Sequence, residues 1–191
     1  MKSLIYVIPG LLCNVKESPF VKLIQEGDSN YDILIHNAYH LIQTNGRSEL
    51  VHFFEDIINK LPYKNIFLVS HSSGSDLVLQ ARLKNTVKAV VFWSPSMMFP
   101  QNISATLPKR DGLLYLSDTL CISERLGHDF DTLNTRPLLE KFKLPHTTFF
   151  TQDEPHDSEW GTINTVPYEH NYTQEQMVTL LHRAKVWFQS I

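Results

Sequence analysis

Ile66-Phe67-Leu68-Val69-Ser70-His71-Ser72-Ser73-Gly74-Ser75-Asp76-Leu77 is the stretch of this 191-residue chain from which the fold can be read. Residues 66–69 are apolar at every position, as expected of a short strand covered on both faces. A serine-rich turn follows at once. Leu77, Val78, Ala81 and Leu83 then mark a helix beginning just after Gly74. A buried strand that turns sharply into a helix leaves one residue, Ser72, at the apex. For a serine to project from so tight a turn, the residues two places either side must be small, or their Cβ atoms collide. Ser70 and Gly74 meet that demand. The bland alternative is a serine-rich loop that merely caps a helix.

Working outward, apolar runs of the same kind recur at 4–8, bounded by Pro9-Gly10, at 33–35 and, Lys88 apart, at 87–93. Residues 147–151 form a less apolar fifth candidate, and Thr162–Val166 a weaker sixth. Leu50, Val51, Phe53, Phe54, Ile57, Ile58 and Leu61 recur at helical spacing until Pro62 ends the pattern. The last helix opens on Thr173-x-x-Gln176, a capping box, with Met177, Leu180, Leu181, Ala184, Trp187 and Phe188 as its inward stripe. Strands alternating with helices predict an α/β fold: a doubly wound, mostly parallel sheet of about six strands with helices on both faces. Residues 97–140 break the alternation. There 113–116 and 121–123 can pair as a hairpin around Ser117-Asp118, ahead of a short helix through Leu138, Leu139 and Phe142. That segment is too small to fold alone, so residues 1–191 read as a single domain with an insertion at about 97–140.

Composition narrows the function. Seventeen basic against twenty acidic residues give a formal net charge of −3, which leaves no basic excess for nucleic acid. Two cysteines, Cys13 and Cys121, are too few for a disulfide framework or a thiolate zinc site and make a reducing cytoplasm the expected compartment. The apolar N-terminal stretch is interrupted by Pro9-Gly10 and lacks an Ala-x-Ala cleavage site, so a strand is expected there rather than a signal peptide. Nor does any run approach the roughly 20 apolar residues that span a bilayer. His36-x-x-x-His40 has the spacing of a metal-binding pair, but it follows a strand and has no Glu between the histidines.

Around Ser72 the sequence resembles the nucleophile elbow of the α/β-hydrolase family, Gly-x-Ser-x-Gly, with Ser70 in place of the first glycine. The resemblance runs from Leu4 to the last helix, in a compact form of the fold without the extra N-terminal strands of larger members. It implies a serine hydrolase of carboxylesterase or thioesterase type, needing no metal or cofactor, with Ser72 as nucleophile. The family order of serine, acid, histidine implies His170, ahead of the last helix, as general base. The acid should follow the strand at 147–151, where Glu154 precedes Pro155. Asp153 is the alternative and Asp157 a more distant one. The oxyanion donors implied are the N–H groups of Leu11, after the first strand, and of Ser73.

Met97, Met98, Phe99 and Trp160, with Phe20 and Tyr168, are candidate pocket formers, and the insertion stands where family members carry a cap. Together they suggest a small-molecule ester or thioester of a small or hydrophobic acyl group as substrate. Two readings compete: a binding protein of the same fold without catalysis, and a peptidase or acyltransferase using the same triad. Oligomeric state is not legible from these residues.

Overall fold

The computed structural model describes residues 2–95, 102–151, 162–166 and 172–191. Six parallel strands make the main sheet: β1 (Ser3–Ile8), β2 (Tyr31–Ile35), β3 (Ile66–Ser72), β4 (Val87–Pro95), β8 (His146–Thr151) and β9 (Thr162–Val166). Their spatial order is β2-β1-β3-β4-β8-β9, so every connection is a crossover and all C-terminal strand ends lie along one edge. Each of the six expected strands is present. Alternate side chains feed two cores. Leu4, Tyr6, Ile8, Leu68 and Phe92 face one side, while Ile5, Val7, Val69, Val91 and Trp93 face the other. Burial on both faces is why these strands read as continuous apolar runs.

On the first face lie α1 (Arg47–Lys60) and α2 (Gly74–Gln80). On the second, a 3₁₀ segment, Pro19–Glu26, packs beside the last helix, α6 (Gln174–Phe188). The capping box at Thr173 forms as expected, with its hydroxyl accepting from the Gln176 N–H. Two details of the helices differ from the sequence reading. Helix α2 stops at Gln80, leaving Ala81 as its cap and Leu83 beyond it, because the exit is held from α1, where Glu55 Oε1 accepts the Arg82 N–H at 2.6 Å. In α6, Trp187 lies at the rim and Lys185 is buried instead, its ammonium donating to Glu26 O at 2.6 Å and Asp28 Oδ2 at 2.8 Å. That bridge holds Asp28 down at about 2, the hydrogen bond from Lys185 being the leading cause.

Between β4 and β8 come α3 (Ile103–Thr106), a three-stranded antiparallel sheet, α4 (Glu124–Asp131) and α5 (Arg136–Lys141). The small sheet contains the expected hairpin, β6 (Leu113–Tyr115) against β7 (Cys121–Ser123), plus an unforeseen strand β5 (Lys109–Arg110). The insertion is sewn to the loop before α1. Ser123 donates through its N–H to Ile42 O and through its hydroxyl to Asn45 O, both at 2.7 Å. Leu114, Ile122, Leu126 and Phe130 join the core of the first face.

Asp76, in the first turn of α2, is wholly buried. Burial pushes its carboxyl up to about 6, against the opposing pull of Arg47, whose Nε lies 4.0 Å away, and of Gln80, which donates at 2.7 Å. With a folded value above the unfolded 3.8, the native state holds this proton more tightly. Its contribution to stability therefore falls as pH rises from about 4 through about 6. The span amounts to about 3 kcal/mol at 1.36 kcal/mol per unit. Urea titrations of wild type and Asp76→Asn should accordingly diverge in favour of the variant between pH 4 and pH 7. Parallel curves across that range would refute the assignment.

Candidate active site

The site is assembled at the C-terminal edge of the sheet, where parallel α/β folds place their ligands. β3 runs through His71 into Ser72, which adopts φ 50°, in the left-handed region that side chains with a Cβ avoid. The ladder to β4 slips at the same point, between His71 and Ser72. Such backbone strain clusters at functional positions. Immediately afterwards Gly74 starts α2 against the end of β1: a Cβ there would stand 2.4 Å from Pro9 O and 2.7 Å from Ile8 O. Only glycine permits that approach.

Close packing at Gly74 brings the loop after β1 onto the elbow. A Cβ on Gly10 would meet Ser72 Cβ and Ser73 Oγ at 3.5 Å each, and Ser72 Oγ at 3.8 Å. Leu11 then donates its N–H to Ser73 Oγ at 2.9 Å. The departure from glycine at position 70 has a local explanation. Ser70 is buried, and its hydroxyl shares a hydrogen bond with Ser75 Oγ at 3.1 Å, so the extra polar atom is satisfied inside the turn.

Ser72 and Ser73 open into a cavity of about 370 Å³ whose other walls include Leu12, Phe20, His71, Tyr172 and Met177. The His71 ring lies between Phe20 and Tyr172, with centroids 5.5 and 5.3 Å away. Tyr172 is itself pinned, sharing a hydrogen bond with Ser94 Oγ at 2.5 Å. Cys13 also borders the cavity, and burial raises its thiol above the ordinary value.

Of the residues singled out from sequence, Ser72, Ser73 and Leu11 are brought together, and Phe20 is in the cavity wall. His170, Glu154, Asp153, Asp157, Met97, Met98, Phe99, Trp160 and Tyr168 lie outside the described residues. Among the described residues of the insertion, none lines this cavity. His71, Tyr172 and Met177 were missed as wall residues. In sequence Met177 belongs to the inward stripe of α6, and nothing there distinguishes a core methionine from one at a cavity rim.

His36 is a core residue. Its Nδ1 lies 3.0 Å from Tyr6 OH, its ring packs edge-on to Phe54, and burial, helped by nearby His40, lowers it to about 4. Among the described residues no group of three or more His, Cys, Asp or Glu is disposed to hold a metal ion. No helix among them is long and apolar enough to cross a membrane.

No family model matches the chain, and no curated protein sequence matches it. Solved structures do. Est1E from Butyrivibrio proteoclasticus, with ferulic acid bound, superposes with a TM-score of 0.71 over 98% of this chain and 88% of its own, at 16% identity. The esterase domain of a Rhodothermus marinus protein gives 0.62 over 96% and 85%, at 14% identity. A lipase-esterase related protein from Clostridium acetobutylicum ATCC 824 gives 0.66 over 95% and 93%, at 13% identity. The chain has the α/β-hydrolase fold, and these structural neighbours are esterases or esterase-like proteins.

Proposed function

We propose that the protein is a serine hydrolase that cleaves an ester or thioester of a small or hydrophobic acyl group through an acyl-enzyme on Ser72. The observation that carries this reading is the left-handed backbone of Ser72 at the opening of an apolar-walled cavity. Left-handed backbone at a residue other than glycine clusters at active sites and ligand clamps.

In the proposed cycle Ser72 Oγ attacks the acyl carbonyl as His170 takes its proton. The tetrahedral oxyanion is stabilised by the Ser73 N–H and by a second donor from the side where the Leu11 loop meets Ser73. When the carbon to leaving-group bond breaks, the imidazolium returns that proton to the departing alkoxide or thiolate. Water, deprotonated by the same imidazole, then attacks the acyl-enzyme. Collapse releases the carboxylic acid and restores the Ser72 hydroxyl. Glu154, or Asp153 in its place, holds the imidazole in the tautomer the reaction requires. Support for His170 comes from Tyr172, two residues further on, which lines the cavity. Two residues span at most about 7 Å. Thr151, at the end of β8, similarly brings the chain to the sheet's C-terminal edge three residues before Glu154.

A cavity of about 370 Å³ walled by Leu12, Phe20, Tyr172 and Met177 suits a short aliphatic or aromatic acyl group. The ferulic acid held by Est1E is in keeping with an aromatic acid. The test is a panel of p-nitrophenyl acetate, butyrate, benzoate and palmitate beside matching thioesters and anilides, assayed from pH 5 to 8. The expected result is turnover of the short and aromatic esters and thioesters, weak for palmitate and anilides. The rate should rise as a histidine of about 6.5 loses its proton. Failure to turn over any ester or thioester, or a rate flat across that range, would contradict the proposal.

A further inference from the structure

We infer that the side chain of Ser73, the residue after the nucleophile, is itself an oxyanion donor, with the Leu11 amide acting through it. The inference rests on Ser72 being the nucleophile. The Leu11 N–H already donates to Ser73 Oγ at 2.9 Å, so it does not point freely into the cavity. Ser73 is buried and lines the cavity beside Ser72. Its hydroxyl accepts from Leu11, while its own proton is donated to no atom of the described residues. A buried hydroxyl that accepts one hydrogen bond and has its proton to give is an incomplete pair. Accepting from the amide also polarises the O–H bond and makes it a better donor.

The position suits that role. Ser73 Oγ and Ser72 Oγ stand 3.5 and 3.8 Å from the place a Cβ on Gly10 would occupy, and both residues line the same cavity, so the Ser73 hydroxyl shares the part of the cavity in which Ser72 would attack. As negative charge develops on the carbonyl oxygen, the chain Leu11 N–H to Ser73 Oγ–H to oxyanion delivers two dipoles in series. No movement of the β1 loop is required. A methyl group at position 73 would free the Leu11 amide but leave it aimed at the place the hydroxyl had occupied.

The test compares Ser73→Ala and Ser73→Thr with wild type on the fastest ester, alongside fluorophosphonate labelling of each. Ser73→Ala should lower kcat by about 100-fold, the scale of one lost oxyanion donor, with KM changed little. Ser73→Thr, which keeps the hydroxyl, should recover most of that loss. Equal or faster turnover by folded Ser73→Ala would overturn the inference, since the hydroxyl would then be idle or obstructing the amide. A loss in Ser73→Ala that Ser73→Thr shares in full, or one carried mainly by KM, would overturn it as well. If wild type takes up no label at Ser72, the hydrolase reading falls and this inference with it. Labelling at Ser72 together with undiminished Ser73→Ala turnover removes the Ser73 role alone.

Discussion

Ser72→Ala should lower ester turnover by about 10⁴- to 10⁶-fold, because among the described residues lining the cavity Ser72 alone stands on the left-handed apex of the elbow. A residual rate above water is expected, since the oxyanion donors and cavity remain when a nucleophile is deleted. Stability adds a second readout at the same residue. Ser72 holds φ 50°, a conformation that costs a residue bearing a Cβ about 1–2 kcal/mol and costs glycine nothing. Ser72→Gly loses the nucleophile but relieves the strain. After the extra entropy of an unfolded glycine is set against the gain, it should be more stable than Ser72→Ala by about 0.5–1 kcal/mol. Thermal melts of the two inactive variants would show it. If alanine and glycine melted together, the strain would be absent and the argument from backbone geometry would lose its footing.

Gly74→Val should be the most damaging single substitution at the elbow. Even the Cβ it introduces would come to 2.4 Å from Pro9 O and 2.7 Å from Ile8 O, and both are backbone atoms. The end of β1 cannot retreat, because the strand is hydrogen-bonded to β2 on one side and to β3 on the other. A loss of about 3 kcal/mol or more is expected, the upper range for overpacking. Gly127 offers a contrast. A Cβ there would also collide, but with Leu114 Cδ1, the far end of a side chain that can rotate away, so Gly127→Ala should cost less. Chemical denaturation of the two variants separates backbone from side-chain conflict. Comparable losses would mean that β1 yields more readily than its pairing implies.

The elbow and main sheet were legible because their signals are local. Residues 66–77 encode strand, apex and helix in order, and strands buried on both faces have no alternation to misread. Helix α4 was not legible. Its sequence Glu124-Arg125-Leu126-Gly127-His128-Asp129-Phe130-Asp131 offers only Leu126 and Phe130 as buried apolar side chains, with a glycine between them. Strand β5 is two exposed basic residues that pair only because β6 lies alongside. The burial of Lys185 depends on Glu26 and Asp28, more than 150 positions away, and no helical periodicity could announce it. Cavity walls belong to the same class. His71 comes from β3, Tyr172 and Met177 from the approach to α6 and its first turn, and their meeting with Phe20 of the 3₁₀ segment is a property of the crossovers rather than of any one stretch.

One measurement bears most directly on the claim that Ser72 is a nucleophile: intact mass of the folded protein after incubation with a fluorophosphonate, followed by peptide mapping. A single phosphonyl adduct on the peptide bearing Ser72, absent from Ser72→Ala, is the predicted result. Folded wild type that stays unmodified, or an adduct that persists in Ser72→Ala, would contradict it.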